Sequence, residues 1–157
     1  MADDSKPIRK GDDASKNLIM ELLDGQYTYG FDVDSIYFLE KDQTWIVLEF
    51  LKTDHQRVRP KDSHPHRYWR RNWRKFASLW RLVTHLSESG ARARLFLVNY
   101  EDLSHAQMQG RAEREFHIIE VREMDATEQG GIKDEKTWTT NFDRFQQWFQ
   151  RLNRRAR

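Results

Sequence analysis

Two acidic residues stand where strand-like sequence makes a charge costly. Glu49 is the one charged residue in Thr44–Leu51 (TWIVLEFL), a run apolar on both faces. A carboxylate buried in such a strand must be paired or hold a metal. In the preceding strand-like run Asp32 and Asp34 share a face, because side chains alternate with period two. The polar link Lys41-Asp42-Gln43 predicts a hairpin between the two runs. Its centre at Asp42 pairs position 34 with about position 50, which brings Asp34 and Glu49 together to within one residue of register. Two neighbouring carboxylates make a site for a hard divalent cation such as magnesium. Glu21, on a predicted first helix, offers a third oxygen ligand. The structural alternative pairs Asp34 with Lys41, or places it at a turn, and pairs Glu49 with a buried arginine.

Two further constellations follow. His55, Asp62, His64, His66 and Arg67 lie in one polar loop with ligand types suited to transition metals, or with the donors for phosphate contact. Ser63 or His64 is placed to cap the helix after it. That helix opens on Arg67-Tyr68-Trp69-Arg70-Arg71-Asn72-Trp73-Arg74-Lys75. Trp69, Trp73, Phe76, Trp80 and Val83 recur at steps of three and four, so the rings belong to the core. Arg70, Arg71, Arg74 and Lys75 project from other faces, and Arg57, Arg59, Lys61 and Arg67 just precede or open the helix. Such a basic cluster suits phosphates. The bland alternative is a solvated helix face.

The elements that position these residues follow from pattern. Ser15–Asp24 predicts a helix with Leu18, Ile19, Leu22 and Leu23 as its stripe. Three strands are predicted at Gln26–Phe31, Asp32–Glu40 and Thr44–Leu51. The long helix spans Arg67–Ser87. Strands follow at Ala93–Tyr100 and Glu115–Met124, with an irregular stretch between them at Glu101–Glu113. A Gly-containing loop is expected over Ala126–Lys136. Thr140 is expected to cap a last helix buried through Phe142, Phe145, Trp148, Phe149 and Leu152. The fold class is α/β: a mixed sheet flanked by helices, with the strand after the long helix parallel to an earlier one. Residues 1–13 read as disordered, 14–153 as one domain and 154–157 as a basic tail.

The order helix–strand–strand–strand–helix–strand, with Asp34 on the second strand and Glu49-Phe50-Leu51-Lys52 on the third, resembles the PD-(D/E)XK nuclease superfamily. The resemblance covers roughly residues 15–100 and implies a restriction endonuclease-like α-β-β-β-α-β core, here with an extra C-terminal strand and helix. It implies magnesium held by the two acids and a lysine that positions or activates the attacking water. The chain departs from the motif in two places. Val33, not proline, precedes Asp34, and Leu51 stands where the motif has lysine. Lys52 lies one residue further, on the opposite face unless a bulge returns it. Lys52 is the candidate for the lysine's role, with His55 as another group.

The formal charge of +2 conceals two blocks: Lys52–Arg81 carries +8 and Arg144–Arg157 carries +5, leaving −11 elsewhere. A basic face beside an acidic pocket points to nucleic acid as partner. The competing expectation is a catalytically inactive module that binds nucleic acid or an acidic protein. A homodimer or a subunit of a larger assembly stays open. The chain has 157 residues and no cysteine, which excludes thiolate metal sites and cysteine nucleophiles. No Walker loop, G-x-G-x-x-G or G-x-S-x-G is present, which argues against nucleotide-cofactor enzymes and serine hydrolases. No apolar run approaches the roughly 20 residues of a membrane span, and the polar start is unlike a secretory signal. A cytoplasmic location is the expectation.

Overall fold

The structure is a computed structural model that describes residues 14–26 and 30–156. The chain divides into two compact units, residues 1–31 and 32–157. The first contains α1 (Ala14–Leu23), which exposes Leu18, Ile19, Met20 and Leu22. The expected disorder of residues 1–13 and the centre of the expected strand at Gln26–Phe31 lie outside the described residues. Gln26, Gly30 and Phe31 are not in a strand.

The second unit contains β1 (Ser35–Leu39), β2 (Thr44–Lys52), α2 (Trp69–Glu88), β3 (Arg92–Tyr100), α3 (Leu103–Met108), β4 (Glu115–Asp125), β5 (Gly131–Asn141) and α4 (Phe142–Arg155). Its five strands lie in sequence order in one mixed sheet. β1 and β2 form the expected antiparallel hairpin, closed by a 3-10 turn at Glu40–Asp42. α2 then crosses over, so β3 runs parallel to β2, while β4 and β5 continue antiparallel. Among the described residues two strands, rather than three, precede the long helix.

Strand alternation divides the core between two helices. On one face Val47, Leu95, Leu97, Ile119 and Val121 meet Trp69, Phe76, Leu79 and Val83 of α2. On the other, Ile46, Leu48, Phe96, Val98, Phe116 and Ile118 meet Phe145 and Leu152 of α4. β2 and β3 are apolar on both faces because both faces are covered. Trp69 stacks on Phe76 with ring centroids 5.5 Å apart, and its indole N–H donates to the Thr127 carbonyl at 3.0 Å. Phe145 stacks on Phe116 at 4.7 Å.

Three expectations are corrected. The stretch expected to be a loop at Ala126–Lys136 enters β5 at Gly131. Lys133, Asp134, Glu135 and Lys136 hide the strand from pattern reading because β5 is an edge strand, where charges face solvent and discourage further pairing. The last helix is capped by Asn141, whose side-chain oxygen accepts from the Arg144 N–H at 3.1 Å, rather than by Thr140. α4 continues to Arg155, which pairs with Asp42, so the expected tail begins inside the helix. No helix among the described residues is long and apolar enough to cross a membrane.

Candidate functional site

The hairpin register pairs Ser35 with Leu48, and one further step sets Asp34 opposite Glu49. β1 begins at Ser35, so the Phe50 N–H lacks a backbone partner there. The Asp34 carboxylate takes its place, with Oδ2 accepting from Phe50 N at 2.7 Å. Asp34 is exposed, whereas Glu49 is only 1% exposed. Glu49 points to the α2 face and pairs through Oε1 with the Lys75 ammonium from that helix. Its second oxygen, Oε2, is buried without a hydrogen-bond partner among the described residues. Burial pushes the Glu49 carboxyl above its ordinary range, and the Asp34 charge adds to the rise. Lys75 and the Asp34 backbone oppose it but do not cancel it.

This acid lies at the wall of a cleft of about 550 Å³, between the C-terminal end of β2, the loop after it and the start of α2. Ligands favour such a crevice in α/β sheets. Lys52, Arg67, Arg71, Asn72 and Lys75 line it, with Asp54 as a second acid. A second groove of about 590 Å³ shares Arg67 and Arg71 and adds Arg70, His66 and Gln129.

The motif lysine is placed elsewhere than the sequence suggests. β2 shows no bulge, so Lys52 alternates to the face opposite Glu49 and pairs with Asp102 at 2.9 Å. Leu51, on the Glu49 face, packs against the α2 core. The ammonium that reaches Glu49 comes from Lys75, which the sequence had marked only as a phosphate contact. Glu21 is exposed on α1 in the separate first unit. Among the described residues no three His, Asp or Glu groups converge as a metal cage. Asp34 and Glu49 are the two carboxylates at this end of the hairpin, and a magnesium-type ion takes one or two carboxylates with water and substrate oxygens completing its shell.

The predicted phosphate contacts divide. Arg67, Arg71 and Lys75 share the cleft, and Arg70 joins Arg67 and Arg71 in the second groove. Arg74 lies over the Trp73 ring at 5.6 Å, and Arg57 is exposed in the loop before α2. Arg59 pairs with Glu115 at 2.5 Å while its side chain stays 41% exposed. The Lys61 backbone N–H donates to the same carboxylate at 3.0 Å.

The loop histidines have structural partners. His64 accepts from the His66 N–H at 3.1 Å and meets Glu135 at 2.8 Å, capping the 3-10 turn at Pro65–Tyr68. His66 accepts from the Ile132 N–H at 3.0 Å. These bonds tie the loop to β5 and occupy both His64 nitrogens and His66 Nε2.

A buried ionic network escaped the sequence reading. Glu101, 0% exposed, accepts from both Arg111 guanidinium nitrogens, from His105 at 2.7 Å and from the Glu115 N–H at 2.9 Å. His105 donates its other ring N–H to the His55 carbonyl at 2.9 Å. The spacing of Glu101 and His105 at four residues, just past an apolar strand, was the available signal. No protein-family model, curated protein or solved structure matches this chain.

Proposed function

We propose that this chain binds a nucleic acid strand in the cleft between β2 and α2 and hydrolyses its phosphodiester backbone with a divalent cation, as PD-(D/E)XK nucleases do. The observation that carries the proposal is Glu49: a carboxylate buried at the cleft wall, opposite Asp34, with one oxygen on Lys75 and the other without a partner. A buried acid left half-satisfied favours a cation as its missing partner. Asp34 and Glu49 are the residues to hold it. A bound divalent cation lowers the pKa of its water and stabilises charge on the phosphate. Lys75 takes the lysine's role in place of Lys52, since its ammonium already lies on the metal-side acid. Arg67 and Arg71 attract and orient the strand.

The test is cleavage of single- and double-stranded substrates with Mg²⁺ or Mn²⁺, compared with Asp34→Ala and Glu49→Ala. Loss of cleavage in both variants, with strand binding retained, supports hydrolysis. The second reading, a binding module without catalysis, is favoured by the Lys75–Glu49 pair, which neutralises the acid without metal. Cation-independent strand binding by a protein that never cleaves would establish it instead.

A further inference from the structure

The cleft contains a second buried polar group that neither the acid pair nor the basic rim explains. Thr53 directly follows β2, and its N–H donates to the Tyr100 carbonyl at 2.8 Å, which extends the parallel ladder one step. With its backbone so placed, alternation sets Thr53 on the same face as Glu49 and Leu51. Thr53 is among the residues lining the cleft and is only 3% exposed, and its Oγ1 is buried with no hydrogen-bond partner among the described residues. An unpaired buried hydroxyl is unfavourable, and each such group in a native fold calls for an explanation.

Its surroundings indicate an anion. Arg67 and Arg71 line the same cleft. Among the described residues neither forms an ion pair, and the Arg67 guanidinium donates only to the Asp62 carbonyl, at 3.0 Å. The other two cations are engaged, Lys75 with Glu49 and Lys52 with Asp102. Asp54 is the one opposing acid besides Glu49, and it is exposed. Thr53 lies four positions beyond Glu49, about 13 Å along the strand. That distance exceeds the reach of one phosphate group.

We infer that Thr53, with Arg67 and Arg71, forms a second phosphate subsite, which holds a non-scissile phosphate of the strand whose scissile bond lies at Glu49. The inference rests on the proposed function and deepens it: the substrate is an oligonucleotide engaged at two phosphates. The Thr53 hydroxyl donates to a phosphate oxygen, and the guanidiniums supply the charge.

The test is binding of a fluorescein-labelled 12-mer single strand by anisotropy over a salt series, with thermal melting of each free protein. Thr53→Val removes only the hydroxyl. It is expected to weaken binding about tenfold at every salt concentration, leave the salt slope unchanged, and leave the melting temperature equal or higher. Thr53→Ser should bind as wild type, and Arg71→Ala should reduce the salt slope by about one. Inorganic phosphate should raise the melting temperature of wild type more than that of Thr53→Val. Wild-type affinity and an equal phosphate response in Thr53→Val would overturn the subsite, as would a wild type that responds to neither probe. A protein that binds the strand with this Thr53 dependence but never cuts it refutes hydrolysis alone. One that cuts while Thr53→Val binds equally well refutes the subsite alone.

Discussion

Removing Lys75 tests the physical state of Glu49 without requiring any activity. Lys75→Met keeps the aliphatic stem that packs along α2 but leaves the Glu49 side chain, 2% exposed, without its cation. Breaking a buried ion pair by deleting one partner costs about 3–5 kcal/mol. The Lys75 end of the pair is 29% exposed, so the lower end, about 3 kcal/mol, applies. The loss must depend on pH. Burial already holds the Glu49 carboxyl above its ordinary value, and removing Lys75 raises it further. A carboxyl whose folded pKa exceeds its unfolded one binds more protons when folded, so stability falls as pH rises through that window. The variant should therefore be most destabilised above the raised pKa and recover as acid protonates Glu49. Urea unfolding followed by tryptophan fluorescence at pH 5 and pH 8 measures this. With m of about 2 kcal/mol/M, the midpoint at pH 8 should drop by about 1.5 M, and by less at pH 5. The double variant Glu49→Gln with Lys75→Met should regain most of the loss, because no buried charge remains. Equal, small shifts at both pH values would refute the claim that Lys75 stabilises a buried, ionised Glu49.

Four other outcomes are expected. Lys52→Ala should leave cleavage within a few-fold of wild type, whereas Lys75→Ala should reduce kcat about 10²-fold or more, because only Lys75 lies on Glu49. Arg111→Met should destabilise by about 3–5 kcal/mol in urea unfolding, since it deprives the fully buried Glu101 of two hydrogen bonds. The Glu101–His105 pair should also give a stability optimum between two losses. Burial pushes Glu101 up, but its hydrogen bonds from Arg111, His105 and the Glu115 N–H outweigh that and hold it low, so its contribution disappears as pH falls through the folded value. His105 is held high by the His55 carbonyl and by Glu101 against burial, so its contribution is full below the unfolded value and disappears as pH rises through the folded one. Urea midpoints across pH 3–9 locate both limbs, and His105→Gln should flatten the upper one. Phe145→Ala, which empties the α4-side core, should cost about 3–5 kcal/mol in the same assay.

The sequence made the sheet's interior legible because burial imposes apolar residues there. Thr44–Leu51 and Ala93–Tyr100 are apolar on both faces, and each is covered by α2 on one side and α4 on the other. The Asp34–Glu49 register was legible because a tight turn leaves little freedom in pairing. β5 was hidden because an edge strand buries little and is selected for charge. The origin of the lysine was hidden for a different reason. Whether an ammonium at position 75 reaches residue 49 depends on how α2 lies across the sheet, and no local pattern encodes that crossing. Likewise Arg59 reads as one more cation in a basic loop until Glu115, in β4, is seen to hold it.

Two buried glutamates, one on β2 and one just after β3, are satisfied to different degrees. Glu101 follows β3, and both of its oxygens accept two hydrogen bonds, from Arg111, His105 and the Glu115 N–H. A carboxylate so enclosed has no capacity left for a ligand, and its effect is to fix the segment after β3 against the loop that carries His55. Glu49, on β2, has nearly the same exposure but a single cationic partner and one oxygen without any. Burial without full satisfaction lowers stability, and this is the oxygen that the proposed cation would complete. The contrast also accounts for the charge distribution. Arg59 and Arg111 are taken up by buried acids, while Arg67 and Arg71 line the cleft of the half-satisfied one without an ion pair among the described residues.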